Sequence, residues 1–145
     1  MVATHEFSAG GVVIRRSGEA FEVAVITPRG RASVTALPKG HIDGEETALD
    51  AAAREVREET GLATSLIESL GDVKYVYRFR GKTIFKVVSF FLFQHTGGEI
   101  DQITPEMRIE VDRAHWIPLI NADRKLSYPG EREIVVKALE ILSRA

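Results

Sequence analysis

No cysteine occurs anywhere in the chain, so disulfide bridges, thiolate nucleophiles and thiolate metal ligands are excluded. No apolar run approaches the roughly 20 residues that a membrane-spanning helix needs, and a composition of 44% apolar and 28% charged residues is that of a soluble globular protein. No membrane partner is expected. Excess positive charge is also missing. A formal net charge of −2 argues against bulk attraction to nucleic acid while leaving room for a local basic patch, so no nucleic acid is expected. The opening MVATHEFSAG lacks the basic and apolar segments of a secretion signal, which makes the cytoplasm the expected location. Repeats, linkers and low-complexity tracts are absent, and 145 residues suit one core better than two. One domain, residues 1–145, is expected.

What is present alternates between strand and helix patterns. Residues 7–16 and 21–27 are rich in β-branched residues and flank Ser17-Gly18-Glu19-Ala20, which predicts a hairpin. Residues 28–40 mix proline, glycine and arginine, a loop carrying cations. From Thr47 to Thr60 nothing breaks a helix. Thr47 can cap its start, Gly61 can close its end, and Leu49, Ala52, Ala53 and Val56 make one apolar stripe. Residues 73–80 and 83–94 straddle Gly81-Lys82 as a long hairpin, and the second arm is apolar enough to be interior except at Lys86. A short strand over 113–119, a helical turn over 121–126 and a helix over 131–142 complete an α/β order.

The segment from Gly40 to Leu62 gathers carboxylates although like charges along a helix repel. Glu55, Glu58 and Glu59, at i, i+3 and i+4, fall on one flank beside the apolar stripe. Such a cluster is either a solvated face or a seat for a hard divalent cation. Oxygen-only ligands favour Mg²⁺ or Mn²⁺ over zinc, and Mg²⁺ is commonly held by a few carboxylates together with substrate phosphates.

Gly40, five residues, Glu46, seven residues and then Arg54-Glu55-Val56-Arg57-Glu58-Glu59-Thr60-Gly61-Leu62 together resemble an unbroken Nudix box. That box is the signature of hydrolases of nucleoside diphosphates linked to another moiety, and all its fixed and apolar positions are matched. The resemblance implies an α/β/α sandwich with a mixed sheet, in which the box forms loop, helix and loop. It implies Glu55, Glu58 and Glu59 as metal ligands, the Gly40 carbonyl as a further one, and Mg²⁺, replaceable by Mn²⁺, as cofactor. Glu46 and Arg54 are expected to be structural, Arg54 steering a ligand carboxylate by a bidentate contact. In-line attack of water on phosphorus is the implied reaction. The proton acceptor is open among Glu58, Glu55 and Glu110, the last equally readable as a surface residue.

Four further stretches, EFSAGGV, LPKGHIDGEE, IFKVVSFFL and LSYPGEREIVVKAL, are similar to the diadenosine polyphosphate hydrolase branch of that family. The similarity implies that Lys39 and Lys86 grip phosphates and that Tyr75 or Tyr77, with Tyr128, sandwiches an adenine. Lysine within an apolar strand is costly unless its ammonium reaches an anion or water, which agrees for Lys86. Of Tyr75 and Tyr77, one is expected to face in and the other out. His41 beside Gly40 is read as a phosphate contact or a solvated loop residue.

The expected function is Mg²⁺-dependent cleavage of diadenosine tetraphosphate to ATP and AMP, with a small-molecule nucleotide as the partner and a monomer or homodimer as the assembly. Nucleoside triphosphate, ADP-ribose and diphosphoinositol polyphosphate pyrophosphohydrolysis are alternatives. A non-catalytic nucleotide-binding module is the alternative of another class, disfavoured because every box carboxylate is present.

Overall fold

The computed structural model describes residues 3–144. Strands β1 (Ala3–Ser17), β2 (Ala20–Pro28), β3 (Lys39–His41), β4 (Ala63–Phe79), β5 (Lys82–Gly97) and β6 (Val111–Pro118) form one sheet. Its order is β4-β5-β1-β2-β6, with β3 paired to β1. β1 and β5 run parallel from Ala3 opposite Thr83 to Ile14 opposite Gln94, and the other ladders are antiparallel, which gives the expected mixed sheet. Helix α1 (Ala48–Thr60) lies between β3 and β4; the short α2 (Ala122–Lys125) and α3 (Pro129–Ser143) follow β6.

Side-chain alternation along β1 and β5 builds the two cores. Val12, Ile14, Phe90 and Leu92 pack with Ile134, Val135 and Ala138 of α3. Ala9, Val13 and Phe93 pack with Ala51, Ala52 and Val56 of α1. Gly11 lets α1 seat this closely, because a Cβ there would lie 2.7 Å from Phe93 Cδ2 and 2.9 Å from Val56 Cγ2. The helix ends follow the sequence signals: Thr47 Oγ1 accepts from the Asp50 N–H at 3.1 Å, and Gly61 closes α1 at φ 85°.

Four expectations change. The β4–β5 turn is Arg80-Gly81 rather than Gly81-Lys82, so Phe79 pairs with Lys82; Gly81 takes the second, positive-φ position of a two-residue turn. Tyr75 and Tyr77 are two residues apart, and the period of a strand puts such residues on the same face. Tyr75 is half-buried, packed against the α3 core, and Tyr77 is 42% exposed. β4 begins ten residues before the expected arm, because bulges between Leu66 and Glu68 and between Ser69 and Gly71 break the alternation that marks a strand. β3, absent from the expectation, is three residues held by pairing Ser8 with His41, Ala9 with Gly40 and Gly10 with Lys39.

Candidate active site

β3 and α1 meet at the carboxylates. Gly40 lies against Glu55 so closely that any Cβ would overlap the Glu55 carboxylate, so only glycine permits this approach. Glu59 is 8% exposed and its Oε1 accepts the Lys39 backbone N–H at 3.0 Å. Burial pushes the Glu59 carboxyl up to about 8, and burial also raises that of Glu55. Glu58 stands further out, its side chain 41% exposed.

Arg54 organises this flank. Its Nε and Nη2 form a fork on Glu46 at 2.7 and 2.9 Å, and Nη2 also donates to the His41 carbonyl at 3.0 Å. Nη1 reaches Glu55 at 2.9 Å and both oxygens of Glu58 at 3.2 Å. The bidentate contact thus falls on Glu46 rather than on Glu55, Glu58 or Glu59; the eight-residue separation brings Glu46 alongside the guanidinium edge, and Glu55 and Glu58 share the remaining nitrogen. The Arg54 hydrogen bond holds the half-buried Glu46 carboxyl down at about 2. Among the described residues no three acidic or histidine side chains already converge at metal spacing. Arg54 Nη1 is shared between Glu55 and Glu58 and offsets their mutual repulsion. The donor set is nonetheless oxygen-only, and the glycine cradle leaves the Gly40 backbone beside a half-buried carboxylate. This fits a hard cation such as Mg²⁺.

A cavity of about 570 Å³ joins these groups to Ser8, Lys39, Lys86, Glu110 and Tyr128. An adjoining groove is lined by Lys39, Lys86 and Tyr128 again, together with Tyr75 and Tyr77. All the residues singled out from the sequence therefore border one continuous depression, apart from Glu46, which stands behind Arg54. Lys86 pairs across the sheet with Tyr75 and is half-buried in the wall. Tyr128 is half-buried against the Ile26 cluster, its hydroxyl accepting from Arg31 at 3.1 Å, with Lys39 Nζ 5.1 Å from its ring centroid. His41 is exposed at the rim.

Glu110 is held at the opposite lip by its backbone. Its carbonyl accepts from Arg29 N at 2.9 Å, and Arg29 Nε donates to the Arg108 carbonyl at 2.9 Å. Arg108 is in turn pinned to Asp101, 2.8 Å away. Glu110 lies close enough to Glu55 and Glu59 to disfavour their ionisation.

Two contributors escaped the motif reading. Glu131, in the first turn of α3, is fully buried; its Oε1 accepts from Leu37 N at 2.8 Å and its Oε2 lies 2.7 Å from Lys39 Nζ. Oε2 has no well-aligned donor among the described residues, so the Lys39 ammonium is what balances its charge. Ser8, a residue of the cavity wall, is 1% exposed, and its buried hydroxyl has no hydrogen-bond partner among the described residues. Neither carries a local signal: a glutamate after Pro-Gly reads as an ordinary helix start, and a serine in a strand reads as filler.

Residues 4–138 match the NUDIX domain. The chain belongs to the Nudix family. That family is one of pyrophosphohydrolases, whose members generally use divalent metals such as Mg²⁺. A Mycobacterium tuberculosis (strain CDC 1551 / Oshkosh) protein bearing the name MutT4 is 35% identical over 150 residues, covering 99% of this chain and 58% of its own. An 8-oxo-(d)GTP phosphatase of Mycolicibacterium smegmatis (strain ATCC 700084 / mc(2)155) is 37% identical over 114 residues, 79% of this chain and 32% of that one. This Nudix chain thus spans less than two thirds of the length of either relative. Among solved structures, a C. elegans Ap4A hydrolase binary complex is similar at TM-score 0.77 over 97% of this chain and 99% of that one, with 22% identity. That likeness is one of fold.

Proposed function

We propose that this Nudix domain hydrolyses a pyrophosphate bond of a nucleoside polyphosphate carrying a purine, and that diadenosine tetraphosphate, cleaved to ATP and AMP, is the favoured substrate. The observation that supports this most directly is the continuity of the carboxylate cavity with the tyrosine groove, both bordered by Lys39, Lys86 and Tyr128. A substrate with phosphates at one end and an aromatic ring at the other fits both parts. An inositol ring offers no π-face to stack, which disfavours a diphosphoinositol.

Glu55, Glu58 and Glu59, with the Gly40 carbonyl, would hold Mg²⁺, which supplies charge neutralisation at the phosphates and a more acidic water. Lys39 and Lys86 orient the phosphate chain from the other wall. Tyr128 and Tyr75 or Tyr77 stack the base. Glu58, Glu55 or Glu110 takes the proton of the attacking water. His41 contacts phosphate at the rim. Glu46 holds Arg54, whose Nη1 offsets the repulsion between Glu55 and Glu58.

A second reading, hydrolysis of an oxidised guanosine triphosphate, is favoured by the name of the 37%-identical mycobacterial relative. Incubating the protein with Mg²⁺ and each nucleotide at equal concentration, then separating the products, distinguishes them. Faster turnover of diadenosine tetraphosphate, yielding ATP and AMP in equal amounts, is expected. A large preference for 8-oxo-dGTP would replace the first reading by the second.

A further inference from the structure

The β4–β5 hairpin continues well past the active-site groove. Tyr75, Tyr77 and Phe79 alternate along β4, so all three rings stand on one face, about 6.7 Å apart along the strand. α3 covers this face only near Val73 and Tyr75, where Gly130 packs against both. Beyond that the rings open to solvent, Tyr77 at 42% and Phe79 at 57%. Tyr77 is oriented by its hydroxyl, which donates to Glu6 at 2.9 Å.

Charge on this hairpin is segregated. Residues 73–98 hold Lys74, Arg78, Arg80, Lys82 and Lys86 and no aspartate or glutamate, in a chain whose formal net charge is −2. Lys82 is opposite Phe79 and Lys86 opposite Tyr75, so both lysines share the face of the rings, where Glu6 is the neighbouring acid. At the tip, Arg80 and Gly81 have φ of 51° and 76°. This is the two-residue turn that prefers asparagine or glycine at its first position. An arginine there is strained, and it sets its guanidinium 5.2 Å from the Phe79 ring centroid.

We propose that this hairpin face binds single-stranded nucleic acid, its bases stacking on Tyr77 and Phe79 and its phosphates meeting Arg80 and Lys82. A row of aromatic rings on a sheet, interleaved with cations, is the chemistry that holds unpaired bases. A duplex has its bases already stacked and offers the rings nothing.

The test is fluorescence anisotropy of a labelled single-stranded dodecamer lacking terminal phosphates, titrated with the full chain in EDTA. Without phosphoanhydride or divalent metal, the result does not depend on the proposed hydrolase reading. Binding that weakens as salt rises is expected. Phe79→Ala should weaken it about five- to a hundredfold, the range for losing one base stack. Arg80→Gly with Lys82→Gln should lower the salt slope by about 0.7 per lost phosphate contact. Arg80→Gly suits the turn, so a folding defect does not confound it, and all these variants should keep the wild-type rate of nucleoside polyphosphate hydrolysis in Mg²⁺. Absence of binding, equal affinity for a duplex, or affinity unchanged by these substitutions would overturn the proposal. So would binding to anionic vesicles with none to the oligonucleotide.

Discussion

Lys39 Nζ lies 2.7 Å from Oε2 of Glu131, a carboxylate with no exposure to solvent, while the backbone N–H of the same lysine bonds Glu59. Lys39 therefore ties α3 to the carboxylate helix through its side chain and its main chain at once. Removing one partner of a buried pair leaves an uncompensated charge, which costs about 3–5 kcal/mol. Lys39→Met should destabilise by that amount in urea denaturation, and Lys39→Met with Glu131→Gln should recover most of it. Glu131→Gln alone should cost much less, because the partly exposed Lys39 ammonium can turn to water. Equal losses for the two single variants would contradict this asymmetry.

Glu58 is the most exposed carboxylate of the cluster, and among the described residues its hydrogen bonds come from Arg54. Glu58→Gln preserves size and removes charge. It should lower kcat by about a hundredfold or more, the scale for one preorganised electrostatic contact, without loss of thermal stability.

The buried Glu59 makes the metal-free protein sensitive to pH. Its folded pKa of about 8 stands above the ordinary 4.5. The folded state therefore binds more protons than the unfolded state between those values, and stability falls as pH rises through that window. Below 4.5 the protonated side chain is tolerated in both states and the contribution is fully present. Urea midpoints measured in EDTA should decline from pH 5 to pH 8, and Glu59→Gln should flatten that decline, since glutamine can still accept the Lys39 N–H. An unchanged slope in the variant would remove Glu59 as its cause.

Tyr128 leads into α3 with its ring at the groove. Tyr128→Ala should raise KM for adenine nucleotides roughly five- to a hundredfold, the value of one stacked base. Tyr128→Phe should remain close to wild type, because among the described residues the hydroxyl bonds an exposed Arg31. A stability loss of about 3–5 kcal/mol with equal damage to every substrate would mark a packing role instead.

Local signals carried far. The caps of α1 and the spacing of Glu55, Glu58 and Glu59 are each set by a few neighbouring residues, so they could be read from the chain; the hairpin is legible too, but its turn falls at Arg80-Gly81, one residue before the expected Gly81-Lys82. Sheet geometry at the site could not. β3 exists because Gly10 lets the Pro38-Lys39 backbone approach, and Gly11 N then reaches the Pro38 carbonyl at 3.1 Å. The burial of Glu131 depends on Leu37 and Lys39, more than ninety positions away. Arg54 choosing Glu46 for its fork is likewise decided by how the 41–46 loop folds back, not by helical spacing.

Turnover of nucleoside polyphosphates by the wild-type chain, with Mg²⁺ and with EDTA, beside Glu58→Gln, tests the central claim most directly. Hydrolysis in Mg²⁺, none in EDTA, and a loss of about a hundredfold or more in the variant are predicted. Turnover that survives EDTA, or a folded protein that hydrolyses none of these nucleotides in Mg²⁺, would contradict the account.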